Sequence, residues 1–139
     1  MQRLLGTVKE ALTKAGLENA EREAEWIVEA ASGLTRAELL TASEGPTQEV
    51  EDRALEMASR RVAGEPLQYV TGLAGFRRLE LEVGPGVFIP RPETEMLAER
   101  AMNRLPDQGT AVEIGTGSGA VALAIKDERP DATVVATEY

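Results

Sequence analysis

The sequence contains no cysteine and no histidine. Without cysteine there can be no disulfide and no thiolate metal site. Without histidine the chain lacks the commonest general base and the commonest metal ligand. Basic residues are also short, with 15 Lys and Arg against 24 Asp and Glu and a formal charge of −9. That balance argues against direct, phosphate-driven binding of nucleic acid. It is the balance expected of a well-solvated surface. No apolar run is long enough to span a bilayer, and Met1-Gln2-Arg3-Leu4 does not open a secretory signal. A cytoplasmic protein with no membrane partner is expected. Internal repeats and low-complexity tracts are missing too. The 139 residues suit about one domain or two small ones.

What the chain does have is concentrated at Val112-Glu113-Ile114-Gly115-Thr116-Gly117-Ser118-Gly119-Ala120. Ala111, Val112 and Ile114 suit a buried parallel strand, which reads as a nearly continuous apolar run. Gly115, Gly117 and Gly119 permit positive φ and the close approach of a ligand to bare backbone. Ala120 to Ile125 is apolar almost all round and reads as a buried helix. A loop that opens onto a helix N-terminus offers unpaired N–H groups and the positive end of a dipole, which suits a carboxylate or a phosphate. Thr133-Val134-Val135-Ala136-Thr137 reads as the next strand, with Glu138 at its carboxyl end. In nucleotide-binding α/β sheets an acid about 20 residues beyond the glycines accepts from ribose hydroxyls. An adenosine-type ligand across the ends of two neighbouring strands is therefore predicted. The plain alternative is a glycine-rich turn that binds nothing.

Two ligand classes fit this stretch. Gly115-Thr116-Gly117-Ser118-Gly119-Ala120 satisfies the dinucleotide pattern of an NAD-dependent oxidoreductase. Glu113, just before alternating glycines, points instead to S-adenosyl-L-methionine. A carboxylate there repels pyrophosphate but can meet a cationic amino group. Val112 to Gly119 also closely resembles motif I of class I methyltransferases.

The first third of the chain reads as a helical bundle. Leu4, Leu5, Val8 and Leu12 recur at helical spacing before Gly16. Asn19 is the expected cap of a second helix with Ala24, Ile27, Val28 and Ala31 inward and Gly33 at its end. Trp26 reads as core or domain-contact surface. Thr35-Arg36-Ala37-Glu38 is a capping box, and Thr47 can cap a longer helix to about Ala63, with Val50, Ala54, Met57 and Val62 inward. Gly64 and Pro66 end that helix. Leu79 to Val83 alternates as a half-buried strand, Gly84-Pro85-Gly86 reads as a turn, and Val87-Phe88-Ile89 as a returning strand. Pro92 fits the first turn of a helix favoured by Glu93 and Glu95, with Met96, Leu97 and Ala101 inward. The expected layout is α plus α/β. A helical substrate-recognition domain spans 1–72, a β-hairpin linker 73–91, and the start of a Rossmann-like methyltransferase domain 92–139.

Gly64-Glu65-Pro66-Leu67-Gln68-Tyr69-Val70-Thr71-Gly72, then Phe76, then Gly86-Val87-Phe88-Ile89-Pro90-Arg91-Pro92-Glu93-Thr94-Glu95, closely resembles the release factor glutamine methyltransferases. The resemblance is strong from Gly64 to Gly119 and weaker over the bundle. It implies methylation, with S-adenosyl-L-methionine, of the side-chain amide of the Gln in a release factor's Gly-Gly-Gln loop. Under the same resemblance Gly115, Thr116, Gly117, Ser118 and Gly119 meet the methionine part of the cofactor, with Glu113 beside them. Glu138 stands where the family usually has a ribose-binding Asp. Phe88 and the Arg91–Glu95 segment match positions near the reaction site, although Arg91 and Glu93 also suit ordinary helix-start chemistry. The partner implied is a peptide-chain release factor, with no metal and a monomeric parent enzyme.

The family's Asn-Pro-Pro-Tyr motif, which grips the substrate amide, has no counterpart here, since no Pro-Pro pair occurs. The chain is therefore expected to be the N-terminal portion of a longer enzyme and to be inactive alone. Apolar strands left at an edge also invite association. Two alternatives accompany this reading: a non-catalytic fragment that binds a release factor, and methylation of a glutamine in another translation protein.

Overall fold

A computed structural model describes residues 1–139. The chain divides into two compact units, Met1–Thr71 and Gly72–Tyr139. The first is entirely helical: α1 (Gln2–Lys14), α2 (Ala20–Ser32), α3 (Arg36–Thr41), α4 (Gln48–Val62) and α5 (Leu67–Thr71). Leu4, Val8 and Leu12 of α1 are buried with Ala24, Ile27, Val28 and Ala31 of α2 and with Ala54 and Met57 of α4. These are the apolar stripes of three amphipathic helices, which have no stable place to lie except against one another.

The stops and starts have local causes. Gly33 closes α2 in the left-handed conformation, its amide donating to the Glu29 carbonyl at 2.8 Å. Thr35 and Glu38 form the predicted capping box at α3, and Thr47 accepts from the Val50 amide at 3.3 Å to start α4. Three expectations need correcting here. Asn19 precedes α2 but makes no side-chain cap, because its φ of −101° and ψ of 30° lie outside the extended geometry of a capping residue. Of the two readings of Trp26 only core is overturned: the ring is 41% exposed, with the Arg22 guanidinium 4.7 Å from its centroid, which leaves the contact-surface reading. Val62 is exposed as well, since it falls in the last turn of α4, past the buried Ala58.

The second unit holds a β-hairpin, β1 (Leu73–Phe76) and β2 (Leu79–Glu82), then α6 (Pro92–Arg104), β3 (Thr110–Ile114), α7 (Ala120–Glu128) and β4 (Thr133–Thr137). The hairpin is not the one predicted. Phe76 pairs with Leu79, so Arg77 and Arg78 make the turn, and Val87-Phe88-Ile89 is not a strand. Tight hairpin turns favour positive φ and advertise themselves with Asn or Gly, whereas here Arg77 adopts φ 54°. Burial of Ala74, Phe76 and Leu81 rewards that pairing. Phe76 and Leu81 join Ala98, Met102, Val121, Ala124 and Ile125 in one core.

Pro92 takes the first helical position of α6, as predicted. The inward face is rotated from the expected one. Met96 and Leu97 are 57% and 60% exposed, while Ala98, Ala101, Met102 and Leu105 form the packed stripe. That i, i+3, i+4, i+7 set includes small Ala98, which allows close approach. β3 and β4 pair in parallel, Thr110 opposite Thr133 and Ile114 opposite Thr137. Their connection is α7, which packs Ala111 and Val134 from one face of the pair. The other face carries Val112, Val135 and Ile114, the last 87% exposed, so β3 is buried on one side rather than on both.

Candidate functional site

The β3–α7 turn is shaped by three left-handed glycines: φ is 74° at Gly115, 57° at Gly117 and 79° at Gly119. An added Cβ would find open space at Gly115 and only ordinary contact, 4.0 Å from the Phe88 Cβ, at Gly117. Backbone sign, and not crowding within the chain, is thus what requires glycine at these two positions. The loop is tied to the end of the neighbouring strand. The amides of Gly115 and Thr116 both donate to the Thr137 carbonyl, at 2.9 and 3.0 Å. A backbone acceptor of this kind leaves no mark in the sequence.

Two carboxylates complete the turn. Glu113 Oε2 accepts from Thr116 Oγ1 at 2.7 Å and from the Ala122 amide at 2.9 Å. The side chain therefore reaches under the loop and fills part of the α7 N-terminus, where the helix dipole favours negative charge. Glu138 Oε2 accepts from the Gly117 amide at 2.5 Å. The structure thus brings the glycines, Glu113 and Glu138 together, from elements over 20 residues apart in the chain. Ser118 sits half-buried between Gly117 and Gly119. Phe88 is exposed beside Gly117, with the Arg91 guanidinium 5.5 Å from its ring centroid. Glu93 lies exposed in the first turn of α6. Glu95 is turned elsewhere: its Oε1 accepts from the Arg77 amide at 2.9 Å.

This geometry bears on ligand class. A pyrophosphate bound in the dinucleotide manner needs the helix N-terminal amides and a neutral or basic surround. Glu113 already holds the Ala122 amide there and adds negative charge. What stays accessible is the exposed outer side of Gly115 and Gly117, with Glu138 at its rim and Phe88 alongside.

A helical unit followed by a β-α-β unit with a glycine turn is the beginning of a methyltransferase fold. Residues 3–72 match the model of the PrmC N-terminal domain, and the chain belongs to that family. The chain is also similar to release factor glutamine methyltransferases of several bacteria. It is 44% identical over 117 residues to that of Neisseria gonorrhoeae, an alignment covering 84% of this chain and 43% of the relative. For Geobacter sulfurreducens the identity is 37% over 139 residues, with 99% and 49% covered. For Streptomyces coelicolor it is 43% over 147 residues, with 99% and 50% covered. The chain therefore spans about half the length of the relatives it matches.

Proposed function

We propose that these residues carry the substrate-recognition unit and the cofactor loop of a methyltransferase that uses S-adenosyl-L-methionine. The acceptor is the side-chain amide of a glutamine, that of the Gly-Gly-Gln loop in a cytoplasmic peptide-chain release factor. The observation that carries this reading is the meeting of Gly117 with Glu138 at the ends of two parallel strands. In this reading residues 1–72 help hold the protein substrate, 73–91 link, and 92–139 begin the catalytic domain.

The residues present suit the cofactor. Gly115, Thr116, Gly117, Ser118 and Gly119 offer a backbone surface without side chains at its exposed glycines. Glu138 has a second oxygen with which to accept from ribose hydroxyls. Both bonds to Glu113 fall on Oε2, so Oε1 would be the oxygen to accept from the amino group of the methionine portion in this reading. When bound, the cofactor would supply an electrophilic methyl group on a sulfonium; its transfer to the amide nitrogen would leave a neutral thioether and release one amide proton to solvent. The chain has no Cys or His for a covalent intermediate, so its part is positioning. Phe88 contributes an apolar wall next to Gly117, and Arg91 is held over that ring.

The test uses a chain of the relatives' length that carries these residues, called the parent protein below. It is incubated with tritiated S-adenosyl-L-methionine and a release factor whose loop glutamine is intact or replaced. Labelling of the intact form alone is expected. Equal labelling of both would overturn the assignment.

A further inference from the structure

Arg77 has a left-handed backbone, φ 54°, which is uncommon for a residue with a Cβ. Such a conformation persists only where its surroundings over-determine it. Here they do. The Arg77 amide donates to Glu95 Oε1 at 2.9 Å, and its Nη1 donates to the Glu95 carbonyl at 3.4 Å. Its Nε and Nη2 grip the two oxygens of Glu128 as a fork, the second bond at 2.9 Å. The paired side chains are 21% and 13% exposed. Glu95 belongs to the first turn of α6, and Glu128 is the last residue of α7.

The next residue completes the grip. Arg129 Nη1 donates to the carbonyls of Met102 and Leu105, each at 3.1 Å, and Nη2 donates to that of Pro106 at 3.2 Å. The C-terminal end of α7 thus holds α6 near both its ends, through adjacent residues of opposite charge. Immediately before α6 run Phe88 and Arg91, and the Phe88 Cβ is 4.0 Å from where a Cβ on Gly117 would stand, at the other end of α7.

We propose that Arg77 is a positioning residue for the glycine-loop site. By tying the first turn of α6 to the last turn of α7 it sets how the Phe88–Arg91 segment lies on the loop. Forked Arg–carboxylate pairs fix geometry as well as charge, which a point-charge pair does not. The inference rests on the cofactor reading above for its effect on affinity, but its structural half stands apart from that reading.

The helical unit supplies a matched control. Arg61 and Glu23 form a similar fork, at 2.7 and 3.3 Å, with side chains 19% and 12% exposed. In the parent protein Arg77→Met and Arg61→Met should both lower Tm. Only Arg77→Met should raise the Kd for S-adenosyl-L-methionine, by about tenfold, as when the competent arrangement is populated about one-tenth of the time. In the 139-residue chain, hydrogen exchange in Arg77→Met should quicken at residues 93–97 and 115–119. Should Arg77→Met not fold, Glu128→Gln replaces it with the same expectations. Equal Kd values for the Arg77 and Arg61 variants, or faster exchange confined to residues 76–79, would overturn the proposal. If the wild-type parent binds no S-adenosyl-L-methionine, the cofactor reading fails, and the exchange pattern alone decides the role of Arg77.

Discussion

Glu138 and Gly117 share a hydrogen bond of 2.5 Å, carboxylate to loop amide, across the ends of neighbouring parallel strands. The bond orders the loop and at the same time engages the acid that the proposed function assigns to the ribose. An ionised carboxylate has two oxygens and about four acceptor positions, so Glu138 can hold the amide and still accept from a hydroxyl. Removing it should therefore have two effects, a looser loop and a lost ligand contact.

In the parent protein Glu138→Ala should weaken binding of S-adenosyl-L-methionine by at least about tenfold, since hydrogen bonds to charged groups contribute roughly 1.5–3 kcal/mol. Glu138→Gln keeps an oxygen for the Gly117 amide but not the charge, and should fall between. Isothermal calorimetry on the three proteins reads the order directly. Unchanged affinity in Glu138→Ala would remove this residue from the site.

Gly117→Val tests the loop from the backbone side. The position has φ 57°, where a β-branched residue is a genuine outlier. Forcing an L side chain into that region costs about 1–2 kcal/mol. The added Cβ would meet only Phe88 within the chain, so the fold should survive with a small drop in Tm. Ligand affinity in the parent should be lost, because the side chain would project onto the surface that the ligand approaches. Wild-type affinity in a folded Gly117→Val protein would place the ligand elsewhere.

The contrast between what was and was not legible in the sequence follows from range. The βαβ unit was readable because its signals are local: alternating glycines, an apolar helix, and an acid after the next strand. The capping box at Thr35 and the Gly33 stop were readable for the same reason. The true hairpin is hidden because Gly84-Pro85-Gly86 is a loud turn signal, whereas Arg77 takes positive φ with no residue preference to announce it. Met96 and Leu97 misled because apolar character does not reveal which stripe of α6 faces α7. The packed stripe is set by Ala98 and Met102. Glu113 stands out in the sequence by its charge, but its bond to the Ala122 amide depends on the return of α7 past the strand end. The Glu128–Arg77 fork joins residues 51 apart in the sequence, and nothing local marks it.

Acid should loosen that fork. Bonding to the Arg77 guanidinium holds the Glu128 carboxyl below its ordinary value of 4.5, with the nearby charges of Arg77 and Arg78 acting the same way. Asp131 is held low by the Arg129 guanidinium and by the Gln108 amide. A carboxylate whose folded pKa is depressed contributes stability above its unfolded pKa. That contribution is lost as pH falls through the folded value, over a window that opens at about pH 5 and runs down into strong acid. Tm should therefore fall with acid across that window in the wild type. Glu128→Gln should start lower at neutral pH and fall less steeply, so that the two curves converge in acid. Parallel curves would mean that the fork contributes nothing to the pH dependence.

The 139-residue chain alone should bind S-adenosyl-L-methionine weakly or not at all, and should transfer no methyl group. Gly115, Gly117 and Glu138 are all exposed, so the surface offered to a ligand is open on its outer side. Small-molecule sites normally bury about 70–90% of their ligand, and one wall cannot do so. The loop also depends for its shape on Thr137 and Glu138 at the end of β4, within a sheet of only two strands. A two-stranded sheet is marginal support even with α7 packed on one face. The exposed Val112 and Ile114 add a second consequence: this chain should self-associate at high concentration through that face more readily than the parent does. Calorimetry with the cofactor and sedimentation over a concentration series check both. Micromolar binding by the 139-residue chain would show that the glycine loop and Glu138 suffice by themselves. A concentration-independent monomer would show that the open strand face is not adhesive.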